Sequence, residues 1–113
     1  MTSFKKKICV ITGSRAEYGN LKNLIYKLKK SKKIKLQLLV TGMHLSVQHG
    51  LTYKEIVKDG FKITKKIKIL KNLDSEKDVS SFTSDGIKKF SQVFNKIKPD
   101  LILILGDRFE IFA

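Results

Sequence analysis

The sequence predicts an α/β fold in which a parallel sheet carries helices on both faces. Three observations predict it, and the first two are short apolar runs bounded by turn residues and, alternating with them, segments whose apolar residues recur at helical spacing. The third is the resulting order β-α-β-α-β-α-β, because a strand joined to the next through a helix forms a parallel pair with a right-handed crossover. With 113 residues the chain forms at most one domain.

Four strands are predicted. Residues 7–12 (KICVIT) and 35–41 (KLQLLVT) have the continuous apolar character of buried strands, and residues 100–106 (DLILILG) form the clearest one, directly after Pro99. Residues 61–70 (FKITKKIKIL) alternate apolar residues with lysine, which is typical of an edge or half-exposed strand. In a strand order of 3-2-1-4, the direction in which strands are added to the sheet would reverse between the first and fourth strands. Ligands of such sheets bind at that switch point.

Three helices connect these strands. In the first, Leu21, Leu24, Ile25 and Leu28 recur at i, i+3, i+4 and i+7 and predict one apolar face. A short helix is predicted for residues 52–58.

The third helix is capped by Asp74 or Ser75. Its stripe of apolar and small residues packs against the sheet rather than lining a ligand pocket. The stripe consists of Val79, Phe82, Gly86, Ile87, Phe90, Val93, Phe94 and Ile97.

The charge is strongly positive but is not patterned like a nucleic-acid interface. The formal net charge is +14, and 22 of the 24 basic residues are lysines without interleaved aromatic residues. Solvated lysine faces are the preferred interpretation, and a polyanion-binding surface is the alternative. The longest apolar run, residues 101–105, is too short to span a bilayer, and residues 1–11 do not resemble a signal peptide. The single cysteine, Cys9, is expected in the core of a cytoplasmic protein.

The segment TGSRAEYG (residues 12–19) follows the first strand and opens the first helix. Gly13 permits a tight turn, and the helix N-terminus together with the planar guanidinium of Arg15 suits a phosphate or carboxylate. Arg15 could instead pair with Glu17 or with a chain end. An anion site is the preferred interpretation, because arginine is rare in this chain.

Two further segments end strands at the same edge of the sheet. Asp107 follows the fourth strand and either carries function or caps the next helix, while Arg108 reaches the same ligand or pairs with Glu110. His44 follows the second strand and is a weak candidate. His49 is weaker still. No metal-ligand cluster and no Ser/His/Asp arrangement is present in the sequence.

Three segments together carry a family resemblance. VITGSRAEYGNLKNLI (10–25), LLVTGMHLSVQHGLTYKEIVKDGF (38–61) and IKPDLILILGDRFEIFA (97–113) closely resemble the start of the hydrolysing UDP-N-acetylglucosamine 2-epimerases, in the branch that serves sialic and legionaminic acid synthesis. The resemblance implies a Rossmann-like domain of a two-domain GT-B enzyme. Residues 1–113 would be the N-terminal part of that domain, with the second domain absent.

The resemblance also implies a reaction and a set of site residues. UDP-N-acetylglucosamine would lose its C2 proton and UDP, and water would add to give N-acetylmannosamine. A UDP-2,4-diacetamido sugar is the alternative substrate, and a non-catalytic anion-binding module is the alternative function. Asp107 would be the catalytic carboxylate, and Arg15, Arg108, Gly13 and His44 would bind the UDP-sugar.

The same resemblance sets expectations about cofactors and partners. It implies no cofactor, no metal, no specific nucleic acid and no membrane, and a dimer or higher homo-oligomer in the full-length family. The 113-residue chain alone is expected to have little or no activity and to expose the outer edge of its fourth strand.

Overall fold

The computed structural model describes residues 5–45, 50–69 and 76–105. The described residues form a parallel sheet with helices on both faces, which confirms the predicted fold class. The strands are β1 (Lys6–Thr12), β2 (Ile34–Thr41), β3 (Lys65–Ile67) and β4 (Leu101–Leu103). The α-helices are α1 (Arg15–Lys30), α2 (Tyr53–Lys58) and α3 (Glu76–Ile97), and a 3-10 turn spans Gly42–Leu45.

The strand order is β3-β2-β1-β4, the order considered for the predicted elements. Central strand β1 pairs with β2 on one side and β4 on the other, so that Val10 lies opposite both Leu38 and Leu103. All pairs are parallel. The carboxyl ends of the strands therefore lie at one edge of the sheet. β2 and β3 are added on one side of β1 and β4 on the other, so the topological switch point lies between β1 and β4 at that edge.

The core divides into two clusters, one on each face of the sheet. Helices α1 and α2 cover what we call the α1 face, whose buried residues are Val10, Tyr18, Leu21, Ile25, Leu28, Leu38, Val40, Ile56 and Phe61. Helix α3 covers the α3 face, whose buried residues are Cys9, Ile11, Leu39, Ile67, Ile69, Phe90 and Val93. Alternate residues of β1 and β2 supply the two clusters because successive strand side chains point to opposite faces.

Two residues of the predicted helical stripes lie outside the core. Leu24 on α1 is exposed, and so is Ile87 on α3. On α3 the buried positions Gly86, Phe90 and Val93 recur at i, i+4 and i+7, and Ile87 is turned about 100° from Gly86. The predicted cap of α3 and the side chains of Val79 and Phe82 lie outside the described residues.

The two outer strands differ from each other. Residues 61–70 do supply an edge strand, as predicted, although it is limited to β3. The prediction of a buried strand at residues 100–106 is wrong for the described part, because Leu101 is 51% and Ile102 40% exposed. Among the described strands, β4 pairs with β1 alone.

The remaining expectations concern the membrane and the cysteine. Within the described ranges, no helix has the length and apolar character needed to cross a bilayer. Cys9 is fully buried in β1, and burial raises the pKa of its thiol to about 12. The thiol therefore packs as a small apolar group.

Candidate functional site

The candidate site begins with the turn between β1 and α1, formed by Thr12, Gly13 and Ser14. Ser14 is the N-cap of α1, and its hydroxyl accepts a hydrogen bond from the Glu17 backbone N–H at 3.3 Å. The Glu17 carboxylate reaches back and accepts from the Gly13 N–H at 2.8 Å. This reciprocal arrangement is a form of capping box, and it holds the turn in one geometry. The first two N–H groups of the helix, those of Arg15 and Ala16, have no acceptor within the helix itself.

Arg15 is the first residue of α1, and its side chain is 73% exposed. Its Nε lies 3.3 Å from Oε2 of Glu55 on α2, whereas the sequence had offered Glu17 or a chain end as alternative partners. An exposed ion pair of this kind contributes at most about 1 kcal/mol. Glu55 therefore holds the guanidinium only weakly, and an anion can compete for it.

His44 lies directly behind the turn and is fully buried. Its Nε2 is 2.9 Å from the Thr12 hydroxyl, and its Nδ1 is 2.9 Å from the Thr52 hydroxyl. Burial lowers the pKa of the imidazole to about 4, so the ring is neutral at physiological pH. Since both ring nitrogens are engaged within the protein, direct binding of a ligand by His44 stays a prediction, and the geometry places the ring in support of the turn.

Tyr18 is a member of this site that the sequence analysis did not single out. Its ring is buried and makes edge-on contacts with His44 and with Phe61, at centroid distances of 6.3 Å and 6.4 Å. Its hydroxyl donates to Oδ2 of Asp59 at the end of α2. The spacing of Tyr18 from Leu21 and Ile25, i+3 and i+7, places it on the apolar face of α1 and could have identified it.

The ion pair next to Tyr18 joins α2 to α1. Lys22 lies 3.1 Å from the same Asp59 oxygen. Hydrogen bonds from Tyr18 and Lys22 hold the pKa of Asp59 below its usual range. Burial and the bond to Asp59 raise the pKa of Tyr18, so its phenol remains protonated. Helix α2, which carries Glu55, is thereby fixed beside the turn.

The second half of the predicted site lies beyond the described residues. Asp107 and Arg108 belong to it, and their proposed roles stay predictions. The weak candidate His49, and Glu110 as the alternative partner of Arg108, also lie outside the described residues. β4 runs parallel to β1, so the chain leaves β4 at the edge of the sheet where Gly13 lies. Among the residues that the structure does describe, no group of three or more potential metal ligands is present.

The comparisons with known proteins show the family of this chain. A family model described as UDP-N-acetylglucosamine 2-epimerase matches residues 26–113. The chain belongs to this family. The chain is 45% identical over 109 residues to a Campylobacter jejuni GDP/UDP-N,N'-diacetylbacillosamine 2-epimerase (hydrolyzing), covering 96% of this chain and 28% of the relative.

Other relatives of the epimerase family show the same coverage. Identity is 39% to polysialic acid biosynthesis protein P7 of Escherichia coli and 33% to a Neisseria meningitidis UDP-N-acetylglucosamine 2-epimerase, each over 96% of this chain and 28% of the relative. The chain thus spans a little over a quarter of the length of the curated relatives it matches.

Solved structures of the family have the same fold. A crystal structure of UDP-N-acetylglucosamine 2-epimerase superposes with a TM-score of 0.80 at 25% identity, covering 96% of this chain and 28% of the other. The N. meningitidis UDP-GlcNAc 2-epimerase bound to UDP-GlcNAc superposes with a TM-score of 0.75 at 22% identity, covering 92% and 27%. The second comparison supports the fold alone.

Proposed function

We propose that this chain supplies the first part of a hydrolysing 2-epimerase that acts on a UDP-activated 2-acetamido sugar. The observation that carries the proposal is the exposed guanidinium of Arg15, which lies at the N-terminus of α1 and at the carboxyl end of the central strand. That location combines an exposed cationic side chain with the positive end of a helix dipole. Such a combination suits a diphosphate that gains charge as it leaves.

In the proposed reaction the sugar loses its C2 proton and the C1–O bond to UDP breaks, which leaves a 2-acetamidoglucal. Water then adds across the double bond with inversion at C2, giving the free 2-epimeric sugar and UDP. Arg15 and Arg108 would stabilise the departing diphosphate, and Asp107 would transfer a proton near C2. Gly13 contributes a turn in which the backbone approaches the ligand without a side chain.

The names of the relatives give two candidate substrates. Identity to the Campylobacter diacetylbacillosamine epimerase, 45%, exceeds identity to the Neisseria UDP-N-acetylglucosamine epimerase, 33%. We therefore place a UDP-2,4-diacetamido sugar first and UDP-N-acetylglucosamine second. In either case residues 1–113 would form the N-terminal part of a Rossmann-like domain, and the remaining substrate contacts would come from chain beyond it.

The test is a chimera in which residues 1–113 replace the matched segment of the Campylobacter relative. We expect the chimera to release UDP from the 2,4-diacetamido substrate, and the 113-residue chain alone to match a buffer control. Arg15→Ala in the chimera should lower kcat/KM about 100-fold, the usual effect of removing one group that stabilises a developing oxyanion. Lys30→Ala removes the same charge from the opposite end of α1 and should change kcat/KM less than twofold.

The outcomes separate the candidate functions. A chimera that folds but releases no UDP from either sugar would contradict the proposal. If the 113-residue chain nevertheless bound UDP and lost it in Arg15→Ala, the non-catalytic anion-binding module would be favoured. An affinity for anions that does not depend on the uridine group and falls steeply with salt would instead indicate a polyanion surface.

A further inference from the structure

Thr52 occupies the N-cap position of α2 but does not cap the helix. No side-chain cap hydrogen bond is formed there, and the Thr52 hydroxyl lies 2.9 Å from Nδ1 of His44. A threonine cap usually stabilises a helix by about 1 kcal/mol. The short helix α2 lacks that stabilisation, and the hydroxyl of its N-cap residue is bonded to His44 instead.

The directions of the hydrogen bonds follow from their acceptors. The Thr12 hydroxyl lies 3.3 Å from the Ser14 carbonyl, which can only accept, so Thr12 donates to it. With Thr12 as the donor to Ser14, its oxygen accepts from His44, an arrangement that requires the tautomer with the imidazole proton on Nε2. Nδ1 is consequently an acceptor for the Thr52 hydroxyl. The series Thr52, His44, Thr12 and Ser14 therefore runs in one direction from α2 to the turn.

The series is held rigidly. Thr12 and His44 are fully buried, and the ring of Tyr18 packs edge-on against His44. Buried polar groups whose hydrogen bonds are all satisfied restrict a structure to one geometry, because any rearrangement would leave an unpaired group away from water. On the outer side of the turn, the Arg15–Glu55 ion pair joins the same two elements.

We propose that His44 is a positioning residue that fixes the Thr12–Ser14 turn against the start of α2 and thereby sets the location of Arg15. The inference rests on the proposed function only in that Arg15 is taken to bind the diphosphate. His44 itself touches no ligand in this role. It acts through Thr12 and the Ser14 carbonyl.

The first test needs no ligand and uses the 113-residue chain. Hydrogen exchange of the Gly13 amide reports on the turn, because that N–H is bonded to the Glu17 carboxylate. His44→Phe keeps a ring but removes both hydrogen bonds, and Thr12→Val removes the acceptor. Each should accelerate Gly13 exchange at least tenfold relative to the Val10 amide of the central strand. His44→Gln restores a donor near the position of Nε2 and should recover most of the protection.

Thr41→Val is the matched control. Thr41 is also a fully buried threonine at a strand end, and its hydroxyl donates to the Ile67 carbonyl rather than to the turn. It should leave the ratio of Gly13 to Val10 exchange unchanged. Nitrogen chemical shifts of His44 should show the Nε2–H tautomer in the native chain.

The second test titrates the chain with UDP and follows the amide signals of residues 13–16. His44→Phe should weaken UDP binding about tenfold, and His44→Gln should restore it. Unchanged Gly13 exchange in both His44→Phe and Thr12→Val would overturn the inference, whatever UDP does. If the native chain fails to bind UDP while Gly13 exchange responds as expected, the positioning role stands and the diphosphate role of Arg15 fails. If His44→Phe does not fold, Thr12→Val and His44→Gln carry both tests.

Discussion

The two faces of the sheet bury polar groups for different purposes. On the α1 face, His44 and Thr12 form a continuous hydrogen-bond series that ends at the turn carrying Arg15. On the α3 face, buried Gln37 donates from Nε2 to the Ile97 carbonyl at the end of α3. Among the described residues, the Oε1 atom of Gln37 has no hydrogen-bond partner. The buried polar groups of the α1 face thus hold the turn that carries Arg15, whereas Gln37 on the α3 face holds the end of α3 against the sheet.

The largest expected effect is a difference in the free energy of unfolding between the same substitution, isoleucine to alanine, on α1 and on α3. Ile25→Ala on α1 removes a side chain that is fully buried between the helix and the sheet, and should lower the free energy of unfolding by about 3 kcal/mol. Ile87→Ala on α3 removes an exposed side chain and should cost less than about 0.5 kcal/mol. Urea unfolding followed by circular dichroism measures both. Equal losses of stability would contradict the exposed position of Ile87.

The next effect depends on pH and arises on the α1 face. The pKa of His44 is about 4 in the folded chain and 6.5 ordinarily, so below pH 6.5 the unfolded chain binds a proton that the folded chain does not. The free energy of unfolding should therefore fall as pH drops from 6.5 to 4, by about 3 kcal/mol in total. Above pH 6.5 this group should have no effect.

The groups that face His44 set the control for this pH experiment. Tyr18 packs against it from α1, and the Glu55 charge on α2 favours its protonated form but is outweighed by burial. Asp59 has a lowered pKa, so the stability that its carboxylate contributes is lost only at more acidic pH. Comparing the native chain with His44→Phe isolates the imidazole. A pH profile that is identical in the two proteins between 6.5 and 4 would contradict the buried neutral ring.

The smallest effect is expected on the α3 face. Gln37→Met keeps the side-chain volume and removes the unpartnered oxygen, but it also deprives the Ile97 carbonyl of its donor. These changes oppose each other, so the free energy of unfolding should change by less than about 1 kcal/mol. Gln92→Met, at an exposed position of α3, is the matched control. A loss above about 2 kcal/mol would mean that Gln37 fixes α3 as firmly as His44 is proposed to fix the turn.

Much of the fold followed from local pattern. The apolar runs of β1 and β2 and the helical spacing of Leu21, Ile25 and Leu28 predicted the elements that build the α1 face. Their order along the chain predicted a parallel sheet and left few topologies, because crossovers are right-handed. The burial of β4 was not predictable in this way, since an apolar run does not reveal whether a strand has neighbours on both sides.

The sequence by itself determined the main elements and the turn that carries Arg15, because these depend on residues that are close together along the chain. Only the tertiary structure decided that Arg15 pairs with Glu55, that Tyr18 bonds to Asp59, and that His44 joins two threonines behind the turn. These partners lie between 8 and 41 positions apart. Their contacts depend on how α2 packs against α1 and the end of the sheet, and no local periodicity specifies that packing.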